Sequence, residues 1–153
     1  MNEKSDKLDE LRLEVGMIAE RVSTLPDLYL GVINTIGGHL TKNFGVAIYI
    51  CQDGFFSYLF GFGNISEKKI VKYGEGMFSI CSIRGKVTIH NQNNKTMAYA
   101  PFYNGHQLNG ILFVECEEAQ YIVTEEDIIF LEEISRFIEI RSKQYNNTSI
   151  DNT

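Results

Sequence analysis

A glutamate bracketed by glycines, Gly74-Glu75-Gly76, precedes the run Met77-Phe78-Ser79-Ile80 in the middle of the chain. Glycines let the backbone turn sharply and come close to another group. If a short helix follows, the amides of its first turn lack intrahelical acceptors and carry a partial positive charge, which suits a small anion. Met77, Phe78 and Ile80 are then candidates to wall off water, and Ser79 either donates a hydroxyl to a ligand or caps the helix. Glu75 is assigned to the turn, because a carboxylate beside an anion opposes binding. Arg84 lies two turns further on and is expected to face solvent.

Other chemistry-bearing residues are scattered. Cys51, Cys81 and Cys116 form no Cys-x-x-Cys pair, which argues against a structural zinc and a disulfide framework; Cys81 and Cys116 read first as small core residues. His39, His90 and His106 are equally dispersed, so the sequence supports no metal site, and His90 and His106 read as loop residues. There is no nucleophile beside a base, no carboxylate pair at a strand end and no phosphate loop. The chain therefore reads as a binding module.

Charge is uneven. The net value is −6, which disfavours nucleic acid as a partner. Residues 1–22 carry −2, residues 23–110 carry +3 and residues 111–153 carry −7. The positive middle contains the glycine turn, a weak pointer to an anion. At 153 residues, with 44% hydrophobic and 22% charged side chains, the chain is long enough for one well-filled core. No apolar run is long enough to span a membrane, and the charged opening "MNEKSDKLDE" lacks a signal-peptide core, so a cytoplasmic location is expected.

The elements that must position these residues follow from periodicity. Leu8, Leu11, Val15, Ile18 and Val22 form a two-heptad helical seam, and Leu28, Val32, Ile36 and Leu40 a second helix, with Pro26 in its first turn and Gly37-Gly38 awkward near its end. "FGVAIYIC", the turn "QDG" and "FFSYLFGFG" predict a β-hairpin, and Phe60 and Phe62 on its second strand are either pocket wall or plain core. "KVTI", "TMAYAPFY" and "QLNGILFVEC" predict three more strands, with Pro101 marking an edge or irregularity. Alternation places Met97, Tyr99 and Pro101 on one face and Ala98, Ala100 and Phe102 on the other. The two alanines suit close packing of a terminal helix, which leaves Tyr99 to the pocket face. Thr124 opens a last helix with a broad stripe through Ile128, Leu131, Ile134 and Ile138, and residues 142–153 read as a disordered polar tail. The division is an N-terminal helix over 1–23, a domain over 24–141 and the tail. The class is α+β: an antiparallel sheet with the N- and C-terminal helices on one face and a ligand pocket under a short helix on the other.

In order and spacing, the Gly74-Glu75-Gly76 turn before a short helix, Pro101 late in a strand, the run "NGHQLNGILFVE" and the helix start "TEEDIIFLEEI" resemble a GAF domain, the small-molecule-sensing relative of PAS domains. The resemblance covers roughly residues 24–141 and implies a sensor. Bilin attachment is disfavoured, since Cys81 is followed by Ser82. The GAF-type free methionine sulfoxide reductases use several cysteines, one in a loop that here reads "HNQNNKTMAYAP" and has none, so that activity is the alternative. A ligand-free adaptor is a third reading. In size and architecture the chain is most similar to the small stand-alone GAF nitrate receptors, which implies nitrate as ligand and a sensor histidine kinase as partner, without a cofactor. Association of two copies, or of a copy with kinase helices, is expected through Leu8, Leu11, Val15, Ile18 and the 128–138 stripe.

Overall fold

The computed structural model describes residues 3–40 and 43–151, with side chains to residue 145. The elements run α1 (Glu3–Arg21), α2 (Leu25–Gly38), β1 (Gly45–Gln52), β2 (Phe55–Gly63), β3 (Ile70–Lys72), α3 (Gly76–Arg84), β4 (Thr88–Gln92), β5 (Lys95–Asn104), β6 (Gln107–Glu117) and α4 (Glu125–Asp151). The six strands form one antiparallel sheet in the order β3-β2-β1-β6-β5-β4. Helices α1, α2 and α4 cover one face and α3 lies on the other, which is the expected α+β arrangement.

The turns follow backbone chemistry. Asp53-Gly54 and Asn93-Asn94 each place consecutive residues at positive φ, the two-residue hairpin geometry whose twist matches the strands it joins. Thr24 caps α2 by accepting the Asp27 N–H. At the start of α4 the Asp127 carboxylate accepts the Thr124 N–H at 2.9 Å, half of a capping box.

Several expectations need correction. The hairpin leads into a sixth strand, β3, whose three residues are too short to give a period. The awkward glycine of α2 has a packing role: a Cβ on Gly37 would stand 2.5 Å from the Phe62 ring. Leu8, Leu11 and Val15 are buried against α2 and α4, and Leu131, Ile134 and Ile138 of the broad stripe join the same core. The stripe is wide because it covers both the sheet and α1. Those residues therefore form intramolecular core rather than an outward seam, and among the described residues the large exposed apolar side chains of the terminal helices are Leu13, Met17, Ile129 and Ile140. The segment from 142 continues α4 instead of forming a tail: Ser142 is buried and donates to the Ile138 carbonyl at 2.5 Å, and Tyr145 packs on the helical core. Residues 152–153 of that expected tail lie outside the described residues.

Candidate functional site

The α3 face is held by aromatic rings. Ala47 and Tyr49 of β1, Phe56 of β2, Met97 and Tyr99 of β5, and Ile111 and Phe113 of β6 point to this side, and Phe78 and Cys81 reach down from α3. Phe78 sits among four rings, with centroid distances of 4.5 Å to Tyr49, 5.4 Å to Phe56, 5.2 Å to Tyr99 and 6.2 Å to Phe113. Phe78 stacks on Phe56 and meets the other three rings tilted or edge-on, arrangements that are favourable beyond the area they bury. Phe78 is fully buried, so the space expected as a pocket is filled by the helix's own phenylalanine.

The polar ends of the cluster are satisfied. The Tyr99 hydroxyl donates to Glu67 at 3.0 Å and the Tyr49 hydroxyl donates to the Lys68 carbonyl at 2.9 Å. Burial, and after it the charge of Glu67, push both phenols well above their usual range, so both remain protonated donors. Glu115 is only 2% exposed and accepts from the Ser66 N–H and, at 2.7 Å, the Ser66 hydroxyl, with the Lys95 ammonium 3.4 Å away. A buried carboxylate needs such partners. Together they hold the segment after β2 against the sheet.

The glycine turn does what its composition implies. Gly74 and Gly76 both take positive φ, and α3 begins directly after Glu75. No side chain caps this helix start. Ser79 is committed to the turn, accepting the Gly74 N–H at 2.9 Å and donating to the Glu75 carbonyl at 3.0 Å. Gly74, Glu75 and Gly76 are exposed, Met77 is half-buried and Phe78 is buried, so the helix start lies at the rim of the aromatic cluster.

Of the candidate residues, the structure brings together Met77, Phe78, Ser79 and Tyr99. Phe60 and Phe62 are corrections. Phe60 packs on the helical core and Phe62 lies over α2. The cause is a register shift between Ile48 and Tyr49: Tyr49 pairs with Tyr58 and Ile48 with Phe60, leaving Leu59 as an extra residue. Such a bulge reverses the alternation, so Tyr58 faces α3 while Phe60, two residues on, faces the helices. Ile80 is also a correction, since it is exposed on the outer side of α3. Arg84 is exposed as expected; His106 lies in the β5–β6 turn, whereas His90 stands on β4. Phe56, Tyr49, Phe113 and Glu67 belong to the cluster without having been singled out; the alternation of β1 and β6 was the available signal for Tyr49 and Phe113.

The thiols do not converge. Cys81 points from α3 toward the sheet, its Sγ donating to the Tyr99 carbonyl at 3.4 Å, whereas Cys116 faces the helices on the opposite side of the sheet. Burial pushes the Cys81 thiol up to about 12, and burial followed by the charge of Asp127 pushes Cys116 up to about 11. Neither supplies much thiolate at neutral pH. Among the described residues, Glu10, Glu14 and His39 gather their ligand atoms within 4.8 Å on the outside of α1 and α2, where His39 Nε2 meets a Glu14 oxygen. No helix among the described residues is long and apolar enough to cross a membrane.

An antiparallel six-stranded sheet with terminal helices on one face and a short helix after a glycine turn on the other defines an architecture, and solved structures share it. Free methionine-R-sulfoxide reductase from Neisseria meningitidis, solved with its substrate, superposes with a TM-score of 0.82 at 13% identity, over 97% of this chain and 95% of that one. The GAF domain of a phosphoenolpyruvate-protein phosphotransferase from Coxiella burnetii gives 0.76 at 15% identity, over 94% and 96%. The corresponding GAF domain from Acinetobacter gives 0.72 at 14%, over 97% and 98%. The chain has the GAF fold. No protein-family model and no curated protein sequence matches it.

Proposed function

We propose that the chain is a small-molecule sensor of GAF type whose ligand is a small anion, nitrate first, held at the start of α3. The observation that carries this reading is the uncapped first turn of α3, set by two positive-φ glycines beside an aromatic cluster that excludes water. Phe78 connects that turn to the centre of the cluster, so an anion drawing on the amides would change how the ring is seated. In this reading a sensor histidine kinase is the partner that registers the change. The GAF fold supports the general class; nitrate and the kinase rest on resemblance in size and architecture to the small stand-alone GAF nitrate receptors.

Titration calorimetry with nitrate, nitrite, chloride and phosphate tests the ligand. Nitrate is expected to bind, and Gly76→Ala to weaken it, because φ +68 is costly for alanine and displaces the turn. Indifference of the protein to every anion would remove this reading. The reductase alternative finds support in the fold shared with methionine sulfoxide reductases. The separation of Cys81 from Cys116 by the sheet weighs against a chemistry that pairs them. Loss of methionine-R-sulfoxide reduction on Cys81→Ser would revive it.

A further inference from the structure

The helical side of the sheet contains a cavity of about 270 Å³ between α1, the end of α2, the sheet and the start of α4. Its floor is Ala98 and Val114, and its walls include Leu8, Leu11, Phe130 and Leu131. Protein interiors seldom leave voids larger than a water molecule, and an unfilled apolar space destabilises the fold that contains it.

Water is a poor occupant. The polar side chains that border the buried part of the space are already engaged: Thr96 donates to Asn91, Tyr121 to Asp127, Lys4 to Asp127 at 2.8 Å, and His39 pairs with Glu14. A buried water needs two to four polar partners, and an apolar cavity without them stays dry and admits apolar guests. The exposed residues of the lining are Lys7 and Gln120, so the space opens there. The Lys7 ammonium has no hydrogen-bond or ion-pair partner among the described residues.

We propose that this cavity is a second ligand site, distinct from the α3 face, for a free medium-chain carboxylic acid. The acyl chain lies over Ala98 and Val114 and the carboxylate meets Lys7 at the opening. One short acyl chain fits a volume of about 270 Å³. Because α1 forms a wall, occupancy holds that helix against α4. The site is independent of anion binding at α3, so either can fail alone.

Decanoate, decanol and decyltrimethylammonium are the probes, read by calorimetry and thermal unfolding of the full chain with and without nitrate. Decanoate is expected to bind one to one and raise the melting temperature, decanol to bind somewhat more weakly, and the ammonium compound least. Lys7→Gln should weaken decanoate about threefold, the size of an exposed ion pair, and leave decanol unchanged. Ala98→Leu should fill the floor, raise the stability of the unliganded protein and abolish binding of both. If that variant does not fold, nuclear Overhauser contacts from decanoate to the Leu11 and Val114 methyls of the unaltered protein carry the test. Absence of any decanoate response, binding without those contacts, or pelleting with phosphatidylglycerol vesicles by a protein that ignores free decanoate would each overturn the proposal.

Discussion

The two faces of one sheet are packed by opposite means. On the α3 side a nine-residue helix closes its face with Phe78 set among four rings, and the polar atoms at the edge are tied to Glu67, Glu115 and Lys95. On the other side three long helices bury mostly aliphatic side chains and still leave a cavity of about 270 Å³. Helices of fixed length, held by their connections, cannot all settle onto small residues such as Ala98. A short helix carrying a large ring at its centre settles wherever that ring fits. More secondary structure therefore does not mean tighter packing, and the face expected to be hollow is the filled one.

The comparison can be broken most directly at Phe78. Phe78→Ala should cost about 3–5 kcal/mol in chemical denaturation, the usual loss for a fully buried ring. A loss below about 1 kcal/mol would mean that α3 sits on the sheet without being locked to it. Leu11→Ala on the other face should cost about 2 kcal/mol, at the low end for a buried leucine, since part of its side chain faces empty space and has fewer contacts to lose. Equal costs at the two sites would contradict a difference in packing.

Titration of the thiols sharpens the contrast further. Cys81 has its pKa raised from 9.0 to about 12, chiefly by burial, and Cys116 to about 11. The folded state favours the protonated thiol, so this stabilisation is fully present below pH 9 and is lost as pH rises from there through 11 and 12. Denaturation midpoints should fall across that window, and Cys81→Ala should flatten the fall. At pH 8, iodoacetamide should modify Cys51, the half-buried thiol, before Cys81. The smallest effect belongs to Arg12, which joins Asp9 and Glu133 on the outside of α1 and α4. Arg12→Ala should cost under about 1 kcal/mol and should matter less as salt is raised.

Much of this arrangement was legible in the residues. Alternation along β5 separated Met97 and Tyr99 from Ala98, Ala100 and Phe102, and the structure keeps that division across the sheet. The turns "QDG" and "NGH" and the paired glycines around Glu75 each marked a real change of direction, because backbone permissiveness is a property of the residue itself. Phe60 and Phe62 show where such reasoning ends: one extra residue in β2 reverses every later side chain, and nothing in "FFSYLFGFG" reveals which residue is left unpaired.

The sequence by itself determined the elements other than β3 and the last turns of α4, the antiparallel order of the hairpins and the side of the sheet on which the terminal helices pack, since each depends on local periodicity and turn chemistry. Tertiary structure alone decided that Leu8, Leu11 and Val15 are spent inside the chain, that Phe78 occupies the space under α3, and that the open volume lies beside Ala98. An apolar side chain is attracted equally to its own core, to a partner or to a ligand, and which of these it meets depends on the distances that the folded helices leave between them.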